Sequence, residues 1–161
     1  MKKFLWAIAI VAVSLSSCRK DKTEEKDKPL KEYVIGDWNM TSINLSGNIQ
    51  SPFFSGQLVG NGTEVSGRWT FRENGTVRAE TKYKMNITIA GFSVGEEEVD
   101  EVIEGTYTVS GEDTVVLTAE GETTTYTIRN RENTKFEAVS TEEFNDMGAT
   151  GNIRVVIGIS R

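Results

Sequence analysis

Histidine is absent from the 161 residues and cysteine occurs once. Imidazole catalysis and histidine metal sites are thereby excluded, and a serine nucleophile would lack its usual base. No Gly-X-Ser-X-Gly elbow is present, so hydrolase chemistry has no visible machinery. No basic stripe offers a footprint for phosphate, which argues against nucleic acid as a partner. No stretch beyond the N-terminus carries a helical apolar face. No residue is expected to be catalytic, no metal or cofactor is expected, and the chain is not expected to be an enzyme.

What is present begins with a targeting segment. Lys2 and Lys3 precede an apolar run from Phe4 to Val13, which is too short for a spanning helix of ~20 residues. Leu15-Ser16-Ser17-Cys18 follows directly and resembles the lipobox of bacterial lipoproteins. That resemblance implies a diacylglycerol on the Cys18 sulfur, cleavage before it and acylation of the new N-terminus. A lone thiol elsewhere would be a liability in an oxidising compartment, and this one sits where lipidation needs it. Several acyl chains would anchor the protein stably to a lipid bilayer without spanning it.

Residues 1–17 thus read as a signal peptide and 18–32 as the lipidated N-terminus with a charged linker. Between Arg19 and Glu32 stand six basic and five acidic side chains, with Leu30 nearly alone as an apolar residue. Such a segment is expected to be flexible, reaching at most about 45 Å. Arg19-Lys20-Asp21 matches only part of the charged surface-export tags of some outer-membrane lipoproteins, so the leaflet stays open. The localisation expected is the cell envelope, at the outer membrane.

Residues 33–161 suit one domain, with ten basic and nineteen acidic side chains. Apolar residues there recur at every second position, the period of half-buried strands. Val77, Ala79, Thr81, Tyr83, Met85, Ile87 and Ile89 share one face, with Arg78, Glu80, Lys82, Lys84, Asn86 and Thr88 opposite. Before them, Glu73-Asn74-Gly75-Thr76 predicts a tight hairpin in which Asn-Gly supplies positive dihedrals. Further alternating runs end at Ser110-Gly111-Glu112-Asp113, Glu120-Gly121-Glu122 and Asn130-Arg131-Glu132-Asn133. Phe136 with Ala138 forms a short strand, and Ile153, Val155, Ile157 and Ile159 form the last. With Asp37 to Asn44 and a strand between Asn48 and Val59, the count is eight or nine. Short turns between neighbours favour an all-β, up-and-down antiparallel barrel over a Greek-key sandwich.

Gly36-Asp37-Trp38 at the start of the first strand, Trp69-Thr70-Phe71, Asn74-Gly75-Thr76 and Gly105-Thr106-Tyr107 follow one another in a telling order. Together they resemble the lipocalin-like lipoproteins of Gram-negative bacteria, from Val34 to about Ser140. The resemblance implies that Gly36 and Trp38 are structural, with Trp38 plugging the closed end beneath an arginine from the chain's end. Arg154 is the first candidate for that arginine and Arg161 the second.

The inward-facing candidates are Trp69, Phe71, Tyr83, Met85, Ile87, Ile103, Tyr107, Tyr126 and Phe136. They serve either as packing or as the lining of a pocket for a small apolar or amphipathic ligand. An inner cavity of roughly 300 Å³ or more would favour ligand binding. A packed interior would favour a structural module that docks an as yet unknown protein partner through loops led by Pro52-Phe53-Phe54. The Gly47 to Gly67 segment reads equally as a mouth loop or an edge strand. The acidic run Glu96-Glu97-Glu98, Asp100, Glu101 and Glu104 lacks calcium-loop spacing and reads as a solvated hairpin edge. Asp113-Thr114-Val115 resembles a three-residue site at which some Gram-negative bacteria glycosylate exported proteins, placed at a hairpin where a glycan is tolerated.

Overall fold

Two-residue periodicity of this kind leaves each strand with one apolar face, and a sheet closed on itself buries all those faces at once. The computed structural model realises that solution; it describes residues 24–146 and 148–161. The expected signal peptide and Cys18 lie outside the described residues. Eight antiparallel strands close a barrel in sequence order. They are β1 (Gly36–Gln50), β2 (Ser55–Phe71), β3 (Thr76–Ile89), β4 (Phe92–Ser110), β5 (Thr114–Ala119), β6 (Glu122–Arg129), β7 (Lys135–Asp146) and β8 (Ala149–Ser160). The up-and-down topology is the one expected, at the lower of the two strand counts.

Long alternation on β3 is borne out: Val77, Ala79 and Met85 are buried while Arg78, Lys82 and Asn86 face water. Outward charges pair along and across strands, Arg78 with Glu80 of the same strand and with Glu104 of β4, Lys82 with Asp100, and Lys84 with Glu64. The outer faces of β2, β3 and β4 are thus lined by paired charges.

Several local expectations change. Gly47 to Gly67 is almost entirely strand, with only residues 51–54 left as a turn, because β1 and β2 pair without interruption from Asn44–Asn61 up to Gln50–Ser55. Asn74 and Gly75 do not share the turn's work as predicted. Only Gly75 has a positive φ, +81°, while the Asn74 side chain accepts hydrogen bonds from the Thr76 N–H at 3.1 Å and hydroxyl at 2.7 Å. β7 extends well past Ala138, since its upper half alternates with polar residues that hide the pattern.

The linker boundary also moves. Residues 30–33 form a helical turn, α1 (Leu30–Tyr33), that packs across the end of the barrel where β1 begins. Leu30, the segment's one conspicuous apolar residue, is buried there with Tyr33 and Val34. Just before it, the Lys26 N–H donates to Asn133 Oδ1 at 3.2 Å, and Glu25 pairs with Arg161 at 2.6 Å. The part of the expected linker from Glu25 onward therefore belongs to the fold.

Candidate functional site: a closed floor and a lateral opening

At the closed end the first strand starts with Gly36 at φ +120°, a conformation that L side chains rarely adopt. Trp38 follows two residues later, turned fully inward. Its indole N–H donates to the Val34 carbonyl at 2.7 Å, and its ring meets Phe136 at 4.7 Å and Tyr33 at 5.3 Å between centroids. The Tyr33 hydroxyl lies 2.7 Å from the Glu132 carbonyl and 2.9 Å from that of Lys135, tying α1 to the β6–β7 turn. Burial pushes the Tyr33 phenol up to about 12.

The arginine over Trp38 is Arg161, whose guanidinium lies 4.2 Å from the ring centroid. Arg154, the first candidate, is corrected: it lies on the outer face, paired in register with Ser46 of β1 and Thr141 of β7. The reason is the pleat. Ile153, Val155, Ile157 and Ile159 point inward, so Arg154 must point out.

All nine candidate inner residues join one apolar core, either buried within it or packed against it. Trp69 meets Phe71 at 6.2 Å and Tyr126 at 5.6 Å, and Phe71 meets Tyr107 at 5.0 Å. Phe136 belongs to the floor. A second cluster of Ile49, Leu58 and Ala149 fills the upper barrel between β1, β2 and β8. These parts are packed.

The opposite side is different because β5 and β6 are short. β4 bonds to β5 only from Thr106 to Ser110, and β6 bonds to β7 only from Thr127 to Arg129. The upper part of β4, from Phe92 to Gly105, and of β7, from Ser140 upward, are therefore not bridged to each other. This is the solvated edge expected of the acidic run. At the gap a cavity of about 260 Å³ is lined by Ile103, Leu117, Ala119, Glu120, Glu122, Thr124 and Tyr126. It falls a little short of the roughly 300 Å³ expected of a ligand chamber.

The polar members of the lining are Glu120, Glu122, Thr124 and Tyr126. Burial, then the charge of Glu142 and the neighbouring Tyr83, push the Tyr126 phenol up to about 12. Tyr83 is raised by burial and by Glu97, Glu101 and Glu142. Trp69 Nε1 and Ser140 Oγ are buried with no hydrogen-bond partner. Ser140 and Glu142 went unread in the sequence because that half of β7 is polar. Among the described residues, no three acidic side chains converge to hold a metal ion.

Two aromatic tips stand apart, Phe53 at 94% and Phe92 at 76% exposed, on the β1–β2 and β3–β4 turns. Those turns are neighbours, joined by the Ala90 N–H donating to the Gln57 carbonyl at 2.9 Å. Thr114 opens β5, its hydroxyl bonded to Asp113 Oδ1 at 3.0 Å.

The family model for the lipocalin-like domain matches residues 34–138. Comparison with curated proteins and with solved structures finds no match.

Proposed function

The chain belongs to the lipocalin-like domain family, and on that premise we propose that it is a lipid-anchored, non-catalytic binding protein for a small apolar or amphipathic ligand. The observation that carries this reading is the lipocalin-like barrel itself; the cavity of about 260 Å³ beside the short β5–β6 hairpin gives room for a ligand below drug size, with apolar contact from Ile103, Leu117 and Tyr126 and access through the gap in the wall. The ligand enters from the side, since the floor is plugged by Trp38 and the β1–β2–β8 side is packed. Absence of histidine supports the non-catalytic part.

A native mass spectrum of the protein purified from its own host should show a bound small molecule. A domain that is always empty, with tryptophan fluorescence unmoved by fatty acids, retinoids, bile acids and haem, would remove the reading.

Leu15-Ser16-Ser17-Cys18 supports anchoring, and with it a location in the cell envelope, at the outer membrane. Radioactive palmitate should label the wild type and not Cys18→Ala. Equal label on both would end this part, because no other cysteine can substitute.

A second reading is favoured by Phe53 and Phe92. Large exposed aromatics on adjacent turns suit a protein partner, and the barrel would then be a docking module. Phe53→Ser with Phe92→Ser would abolish the partner's co-purification while leaving ligand occupancy intact.

A further inference from the structure

Directly paired residues of an antiparallel sheet share a face, and on the outer side of β7, β8, β1 and β2 the register aligns side chains in rows across the strands. Gln57, Asn48, Asn152 and Glu143 form one such row, because Asn48 pairs with both Gln57 and Asn152, and Asn152 pairs with Glu143. The row toward the floor holds Ser46, Arg154 and Thr141, and the row toward the top holds Gln50 opposite Thr150. These residues line a surface cavity of about 740 Å³, within the roughly 300–1,000 Å³ of small-molecule sites. It shares no residue with the cavity beside the β5–β6 hairpin.

Asparagine is disfavoured in strands, since its short amide competes with the backbone for hydrogen bonds, yet Asn48 and Asn152 face each other on neighbouring strands. No compensating bond forms. Among the described residues, the side chains of Asn48, Gln50, Gln57 and Asn152 take part in no hydrogen bond. Nor does charge account for the face: β3 and β4 cover their outer side with ion pairs, whereas the charged members of this lining are Glu143 and Arg154, which cancel and form no ion pair among the described residues. Both β1 and β8 are hydrogen-bonded to a neighbour on each side, so an extended peptide finds no free edge here. What the face offers is a plane of side-chain amides and hydroxyls, each amide bringing two donors and an acceptor oxygen.

We propose that this face binds a neutral glycan chain lying across the strands. Neighbouring strands stand about 4.8 Å apart, close to the length of one sugar ring, so the row of four spans about 15 Å and successive amides meet successive sugars. A polyol presents donors and acceptors together, as amides require. It carries no charge, as the balance of Glu143 and Arg154 favours; an anionic polymer would meet Glu143 and a cationic one Arg154. The site is separate from the lateral cavity and adds to it. An exposed face of side-chain hydrogen bonds should bind modestly, with Kd of about 0.1–1 mM.

The test uses the full chain in a detergent without a sugar headgroup. The probes are the neutral hexasaccharides maltohexaose, mannohexaose and chitohexaose, with hexagalacturonate as the anionic control and hexaglycine as the uncharged peptide. By NMR, at least one neutral hexasaccharide should move the side-chain amide resonances of Asn48, Gln57 and Asn152 to saturation, while hexagalacturonate and hexaglycine leave them in place. Asn48→Val with Asn152→Val should weaken binding about tenfold or more, with the melting temperature held or raised because valine favours strands. Should that pair melt lower, Gln57→Val on the same row carries the test. No shift with any neutral hexasaccharide, an equal shift with hexagalacturonate or hexaglycine, or wild-type affinity in the folded variant overturns the glycan assignment. None of these results bears on the lateral cavity, which the native mass spectrum tests.

Discussion

Arg161, the final residue of the chain, covers the Trp38 ring with its guanidinium at 4.2 Å while its Nη2 reaches Glu25 at 2.6 Å. One side chain thus joins the end of β8, the first strand and the segment ahead of α1. The floor is a layered plug in which Arg161 also lies 5.7 Å from the Tyr33 ring and Arg131 lies 5.1 Å from it.

Trp38→Ala should cost about 3–5 kcal/mol of stability, the range for emptying a buried aromatic site. Arg161→Ala should cost about 1–2 kcal/mol through the lost ring contact and the partly exposed ion pair. Arg154→Ala, on the outer wall, should stay within about 0.5 kcal/mol of wild type. Urea unfolding of the three variants orders them, and a larger loss in Arg154→Ala than in Arg161→Ala would contradict the floor described here.

Leu30→Ala tests where the linker ends. A residue in a free tether can be truncated without effect, whereas a buried leucine loses about 2–5 kcal/mol. The melting temperature of Leu30→Ala should fall clearly, and that of Lys31→Ala, whose side chain is exposed, should not.

All four tyrosines have phenols raised by burial, Tyr33 and Tyr126 to about 12. Between pH 10 and 12 the unfolded chain releases these protons and the folded chain holds them. The folded state then binds more protons, so stability is full below about pH 10, falls as pH rises, and stops falling beyond about 12. Phenolate absorbance should therefore rise later in the native protein than in urea. It separates the tyrosines from Lys82 and Lys84, whose amines, raised by hydrogen bonds to Asp100 and Glu64, titrate nearby. Coincident native and unfolded titrations would show the phenols to be exposed.

Orientation on the membrane follows from the anchor proposal and the corrected boundary. Six residues lie between Cys18 and Glu25, at most about 20 Å of extended chain, and Glu25 is held at the floor by Arg161. The closed end should face the bilayer and the opening should face away. In vesicles carrying the lipidated protein, a dye at Glu112, on a floor turn, should be quenched by spin-labelled headgroups more than a dye at Phe53. Stronger quenching at Phe53 would reverse the orientation.

The family resemblance supplied the structural place of Gly36 and Trp38, while sequence alone determined the strand periodicity, the up-and-down order and the inward set from Trp69 to Phe136. These are local properties: period two sets the face, and a short turn sets the neighbour. Even the exclusion of Arg154 was legible, because inward Ile153 and Val155 flank it. What the tertiary structure decided is what depends on distant segments meeting. Leu30 looks solvated among charges until the barrel floor supplies an apolar surface 100 residues on, as the Tyr33 hydroxyl shows in reaching Glu132, 99 positions away. The lateral opening arises from unequal strand lengths, which period-two patterning does not encode, since β4 outruns β5 and leaves an unpaired edge. The alignment of Gln57, Asn48, Asn152 and Glu143 in one row follows from cross-strand register, and register is fixed only when both strands are in place.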